Sequence, residues 1–149
     1  MQTVLLTQLA TTWFMVGLIW IIQIVHYPLF ANVGETQFPL YSQKHQFLIT
    51  FIVGPVMVAE LITAVVLALY PPSPSAALWL RVALALLIVV WVSTVLIQTP
   101  QHGRLSSGFD LEKIRSLVTW NWIRTIAWTA RGLILLVVFG KLITVQTWV

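Results

Sequence analysis

The fold is decided by residues 117–140, LVTWNWIRTIAWTARGLILLVVFG. This stretch is apolar enough to cross a bilayer, yet four large or polar side chains recur in it at spacings of three, four and three: Asn121, Arg124, Trp128 and Arg131. These spacings place the four side chains on one face of a helix. An arginine near the bilayer centre costs at least about 2.5–3.5 kcal/mol on insertion scales. Two arginines on this face therefore need partners inside a bundle, which predicts a membrane protein with a polar interior.

The composition of the whole chain supports this prediction. Of its 149 residues, 59% are hydrophobic and 8% are charged, whereas a soluble domain carries about 25% charged residues. The absence of cysteine excludes disulfides, thiolate metal sites and cysteine nucleophiles. The net charge of +4 is spread along the chain without a basic run, which argues against nucleic acid as a partner.

Four apolar segments are long enough to span about 30 Å of hydrocarbon at about 1.5 Å per residue. They are predicted over residues 5–30, 45–70, 76–98 and 111–145. The third is predicted to end at Thr99-Pro100, and Gly54-Pro55 predicts a kink in the second. Because short connections make neighbouring helices antiparallel, we expect one all-α integral membrane domain over residues 1–149. Its predicted fold is a four-transmembrane-helix bundle in up-down-up-down order, located in a bacterial cytoplasmic membrane.

Polar residues of different segments fall at shared depths in this bundle. All three histidines, His26, His45 and His102, belong to one membrane face, about 15–20 Å from the midplane by helical rise. Glu60 and Arg131 both fall within about 5 Å of the midplane. They are predicted to form a structural ion pair, because an unpaired charge at this depth would be neutralised or expelled.

Arg124 lies between these two layers, about 10 Å from Arg131 by rise. The other carboxylates of the chain, Glu35, Asp110 and Glu112, fall in predicted loops or at a helix start, so Arg124 has no evident partner. It would hold a carboxylate of a ligand, a quinone or quinol oxygen, or main-chain carbonyls at the Pro55 kink.

Two kinds of site can be built from these residues. In the first, His26, His45 and His102 bind zinc, copper or iron, or serve as axial ligands of a haem. In the second, which needs no metal, His26 or His102 is the general base that deprotonates a hydrophobic phenol or quinol. Asn121 and Arg124 then stabilise the anion.

The tryptophans have two predicted roles. Trp20, Trp91 and Trp128 are expected either to stack on the ring of the bound molecule, with Trp128 as a cofactor-binding residue, or to fill the interior of the bundle. Trp79 and Trp148 at one membrane face, and Trp120 and Trp122 near the other, predict an aromatic belt.

Several short pieces resemble a group of small four-helix bacterial membrane proteins of uncharacterised function. The pieces are VHYPLF at residues 25–30, MVAEL at 57–61, QTPQH at 98–102, and TWNWIRT at 119–125 with Trp128 and Arg131 beyond it. The layout is also distantly similar to the anthrone-oxygenase-like membrane family, which has four helices and an Asn-Trp-x-Arg-like stretch opening the last one. The resemblance implies oxidation of polycyclic phenols without an established cofactor, and a role for Asn121 and Arg124.

The sequence thus predicts a membrane-embedded, oxidoreductase-like or oxygenase-like protein. Its substrate would be a lipid-soluble aromatic or quinone-type molecule, and its cofactor a histidine-bound metal, a haem or none. The alternative is a non-catalytic subunit that packs against a larger membrane complex, or against a second copy, and holds a pigment or cofactor. Eight tryptophans and short loops favour that alternative. A transporter is disfavoured, because there is no internal repeat and only one buried acid.

Overall fold

The computed structural model describes residues 1–146, and side chains as far as Leu142. This part of the chain is all-helical and has no strand. Four helical segments are long and apolar enough to cross a membrane, as expected of an integral membrane protein. We number them α1 (Gln2–Asn32), α2 (Phe38–Leu69), α3 (Pro74–Leu105) and α4 (Leu111–Gln146). The predicted all-α, four-helix class is therefore confirmed.

Two of the predicted helix boundaries are wrong. Helix α2 begins at Phe38 rather than near residue 45, with Pro39 in its first turn. Proline is tolerated there because the N–H groups of the first turn have no acceptor within the helix, so the N–H that proline lacks is not needed. Helix α3 continues to Leu105, past its predicted end at Gln98 and past Pro100. Helix α2 also continues through Pro55.

A π-helical turn allows α3 to pass its proline. Proline cannot donate to the carbonyl four residues earlier, and its ring clashes with that carbonyl. In α3 the wider turn Thr94–Gln98 directly precedes the Thr99-Pro100 pair, and in α1 the turn Ile22–His26 precedes Pro28 in the same way. Single π-turns inside α-helices are frequent at functional sites. Here they carry four of the polar side chains described below: Gln23, His26, Thr94 and Gln98.

The four helices form a closed ring of contacts. Helix α1 packs against α2 and α4, and α3 packs against the same two helices. Hydrogen-bonded pairs of α1 and α2 include Gln8–Thr63 and His26–His45. Residue numbers thus rise along α1 as they fall along α2, so these two helices are antiparallel. The up-down-up-down order of all four helices stays a prediction.

Apolar side chains cover much of the outside of the bundle and form a buried cluster on the side away from the histidines. The inner cluster on that side includes Leu67, Leu80 and Leu135. Trp79, Trp120 and Trp122 are exposed at the outside, whereas Trp148 lies outside the described residues. The opposite half of the bundle, which bears the three histidines, is called the histidine side below.

Candidate functional site

The ion pair predicted near the midplane is present. Arg131 Nη1 lies 2.5 Å from Glu60 Oε1, and both side chains are fully buried. The carboxylate also accepts hydrogen bonds from Thr12 Oγ1 at 2.7 Å and from Trp128 Nε1 at 3.1 Å. Arg131 Nε donates to the Ala83 carbonyl at 3.0 Å. This one cluster therefore joins all four helices.

Polar residues that sequence reasoning missed extend this cluster. Gln8 Nε2 donates to Thr12 Oγ1 at 3.0 Å, and Thr63 Oγ1 donates to Gln8 Oε1 at 3.1 Å. The signal was present in the sequence, because Gln8 and Thr12 are four residues apart in an otherwise apolar helix and share one of its faces.

A cavity of about 430 Å³ lies on the histidine side of this cluster. Most of its wall is apolar and includes two tryptophans and two methionines: Trp91, Trp128, Met15 and Met57. The polar groups of the wall include five side chains: Tyr27, Gln46, Gln98, His102 and Arg124. An apolar space with a few convergent polar groups is typical of a small-molecule site.

Arg124 is the charged residue of this cavity wall, and its side chain has only neutral partners. Arg124 is 7% exposed, and Nη2 donates to Tyr27 Oη at 3.2 Å. Both Nε, at 3.0 Å, and Nη2, at 2.5 Å, donate to Asn121 Oδ1. Nη1 reaches Thr94 Oγ1 only at 3.5 Å, which is beyond a normal hydrogen-bond length. Neither of the ion pairs Lys113–Asp110 and Arg131–Glu60 includes Arg124, and the contacts of its guanidinium are all with neutral groups.

Asn121, predicted to be catalytic, orients Arg124 and is not part of the cavity wall. Its Oδ1 accepts from the guanidinium, and its Nδ2 donates to Gln23 Oε1 at 2.8 Å. Gln23 is held in turn by donation from its Nε2 to the Val118 carbonyl at 3.1 Å. This chain of hydrogen bonds fixes the direction of the guanidinium, so Asn121 is a positioning residue.

Tyr27 connects Arg124 to His102. Its hydroxyl lies 2.8 Å from His102 Nε2. Either group can donate in this hydrogen bond; when Tyr27 donates to His102 Nε2, a neutral His102 ring carries its own proton on Nδ1. That Nδ1 is buried and finds no partner among the described residues, and the same is true of Trp91 Nε1. A buried donor without an acceptor costs about 1–3 kcal/mol.

His26 and His45 form a second pair, which lines a neighbouring groove rather than the cavity. His26 Nε2 is 2.9 Å from His45 Nδ1, and both residues line a shallower groove together with Tyr41 and Lys44. The His45 and His102 ring centroids are 5.7 Å apart. The three histidines thus converge as expected, but only His102 faces the cavity.

This arrangement does not fit the predicted metal site. The Nε2 atoms of His26 and His102 are engaged with His45 and Tyr27, whereas metal ligands must direct free lone pairs at a common point. The described residues include no group of three or more His, Cys, Asp or Glu side chains that could hold a metal ion. The prediction of His26, His45 and His102 as metal or haem ligands therefore finds no support.

Of the three deep tryptophans that were expected at the ligand, two line the cavity and one does not. Trp91 and Trp128 line the cavity. Trp20 lies outside it, where its Nε1 donates to Thr129 Oγ1 at 3.1 Å and its ring packs edge-on against Trp122.

Sequence reasoning missed Tyr27 as a site residue. It follows His26 directly and is four residues after the inward-facing Gln23, a spacing that would have placed it on the polar face of α1. Comparisons of the chain with protein-family models, with curated proteins and with solved structures find no match. The resemblance to the anthrone-oxygenase-like family therefore stays a prediction.

Proposed function

We propose that this protein is a membrane-embedded oxidoreductase that crosses a bacterial cytoplasmic membrane four times and acts on a lipid-soluble aromatic or quinone-type molecule. The observation that carries the proposal is Arg124, a buried guanidinium that lines an apolar cavity and has no carboxylate partner. A buried charge is strongly unfavourable unless it is paired or fully hydrogen-bonded. A carbonyl, quinol or phenol oxygen placed in the cavity would supply the missing acceptor.

The hydrogen bonds around Arg124 suit proton removal from such a ligand. A phenol or quinol O–H that donates to Tyr27 Oη allows the Tyr27 proton to pass to His102 Nε2, 2.8 Å away. The oxygen anion that remains lies beside the guanidinium, in a site of low dielectric where such stabilisation is strong. The step assigned to these side chains is proton removal alone: the ligand O–H gives its proton to Tyr27, Tyr27 gives its own to His102 Nε2, and no oxidation state changes.

The apolar wall favours an aromatic ring as the rest of the ligand. Trp91 and Trp128 provide aromatic surface, and Met15 and Met57 provide thioethers that pack well against rings. The Trp128 indole is held in place by its hydrogen bond to Glu60, so its ring face does not need to be ordered on binding.

The decisive experiment is a binding titration. Decylubiquinone is added to the protein in lipid nanodiscs, and quenching of tryptophan fluorescence reports binding near Trp91 and Trp128. We expect Arg124→Gln to weaken binding about 10- to 100-fold, since a hydrogen bond to a charged group contributes about 1.5–3 kcal/mol. Arg115→Gln, which changes an exposed arginine of the same helix, is the matched control. If Arg124→Gln binds as tightly as the unaltered protein, the proposal is wrong.

A further inference from the structure

The cavity is closed on one side and open on the other. Its inner wall consists of buried side chains of α1 and α4, including Met15, Ile19 and Trp128. Its outer wall is formed by α2 and α3, where Val58 is 49% exposed and Val95 is 55% exposed although both line the cavity. The cavity therefore opens between α2 and α3 toward the surrounding bilayer.

Small side chains form the rim of this opening. Val53, Gly54 and Val95 are among the residues of α2 and α3 that line it. A Cβ placed on Gly54 would find no atom nearer than Thr50 Cγ2, at 4.0 Å. Gly54 is also only about 9 Å by helical rise from the level of Glu60. The rim therefore lies within the hydrocarbon layer, and the space beside Gly54 is free.

Polarity changes along the cavity. Arg124 Nη1, with its long contact to Thr94, and His102 Nδ1 lie toward the closed or histidine side. The part of the opening nearest the level of Glu60 is lined by Val53, Gly54, Val58 and Val95, whereas Thr50 and Thr99 line it farther out. A molecule whose oxygen contacts Arg124 would therefore direct its other end into hydrocarbon. A compact polar molecule would leave the apolar opening unfilled.

From this geometry we infer that the ligand has two parts: an oxygen-bearing ring at Arg124, and a hydrocarbon tail that leaves the bundle between α2 and α3. The substrate class is then a tailed quinone or an alkylated phenol rather than a compact polycyclic phenol. This inference rests on the proposed function and specifies its substrate. It also assigns Val53, Gly54, Val58 and Val95 to the path of the tail.

Photoaffinity labelling tests the position of the tail directly. The probe is a decylubiquinone analogue that carries a diazirine in the middle of its tail, irradiated with the protein in nanodiscs and mapped by peptide mass spectrometry. We expect adducts on residues 53–58 and on Val95, and their loss in excess unlabelled decylubiquinone. Adducts on lipid-facing residues away from the cavity, such as Ile62 and Ile88, or adducts that resist competition, would overturn the inference.

A pair of glycine variants tests the same path independently. Gly54→Leu fills the opening and is expected to weaken decylubiquinone binding at least tenfold. Gly17→Leu is the matched control, because Gly17 is exposed on α1 and a Cβ there meets no atom within 4 Å. Equal binding by both variants would contradict the inference. Thermal unfolding of each variant shows whether the fold is retained.

The two proposals fail in different ways. If the adducts form at the opening but Arg124→Gln has no effect on binding, the proposed anchoring of the ring is overturned. If Arg124→Gln weakens binding but the adducts lie elsewhere and Gly54→Leu binds normally, only the inference about the tail is overturned.

Discussion

At the level of single residues, the two interior arginines of α4 have opposite electrostatic surroundings. Arg131 is paired with Glu60 through Nη1, and both are completely buried, while its Nη2 finds no partner among the described residues. Arg124 lies seven residues earlier on the same face, about 10 Å away by rise, and contacts only neutral groups. The fold alone accounts for a paired buried charge, whereas the proposed ligand would complete the unpaired charge beside the cavity.

The contacts of Glu60 lead to a prediction about stability. Its carboxylate accepts from Thr12, Trp128 and Arg131, so an amide at this position would point its NH₂ group at a donor. We expect Glu60→Gln and Arg131→Gln each to lower the free energy of unfolding by about 3–5 kcal/mol, the usual cost of removing one partner of a buried pair. Thermal unfolding in mild detergent is the measurement.

A double variant decides whether this loss belongs to the pair. If the two residues interact, the combined Glu60→Gln and Arg131→Gln change costs less than the sum of the single changes, whereas simple additivity would show that they do not. Arg81→Gln, at an exposed arginine of α3, is the control and should change stability by no more than about 0.5 kcal/mol.

At the level of helices, the close approach of α1 and α4 depends on Gly132. A Cβ at this position would lie 3.3 Å from Val16 Cγ2 and 3.4 Å from Trp13 Cζ2. Alanine favours a helix over glycine by about 1 kcal/mol, but overpacking costs about 1–3 kcal/mol. A Cβ at Gly17 meets no atom within 4 Å, so we expect Gly17→Ala to stabilise the protein. We expect the free energy of unfolding of the Gly132→Ala variant to be lower than that of the Gly17→Ala variant by at least about 1 kcal/mol. Equal unfolding temperatures for the two variants would contradict this prediction and show that the α1 side chains at Gly132 move aside at little cost.

The π-turns explain why helix ends were harder to predict than helix existence. Pro28 and Pro100 are visible in the sequence, and a proline is a reasonable signal for the end of a helix. In the structure, a π-helical turn lies just before each of these prolines and the helix continues past it, in α3 as far as Leu105. The extra residue in such a turn also rotates everything after it, including His102, relative to a regular helix.

At the level of the whole molecule, the histidine cluster yields a prediction about metal content. We expect protein purified in mild detergent to contain iron, copper and zinc at far below one equivalent, because the Nε2 atoms of His26 and His102 are already hydrogen-bonded. Elemental mass spectrometry measures this content. A near-stoichiometric metal that is lost in His45→Ala would mean that the histidines rearrange around an ion, and would restore the metal-dependent version of the function.

The sequence by itself determined the four apolar helices, the polar face from Asn121 to Arg131, and the shared depth of Glu60 and Arg131. These follow from the period and rise of the helix and from the thickness of the bilayer, which are the same in any bundle. It also brought the three histidines to one membrane face, because helix order alone decides which ends meet.

Only the tertiary structure decided which of these residues form a site. It placed His102 in the cavity wall and His26 and His45 in the groove. It also showed that Asn121 supports Arg124 and that Tyr27 is one of the partners of Arg124. It also placed the opening between α2 and α3. The physical reason is that rise along a helix can be counted from sequence, whereas the rotation of each helix about its axis is set by packing against its neighbours and, in α1 and α3, by the π-turns.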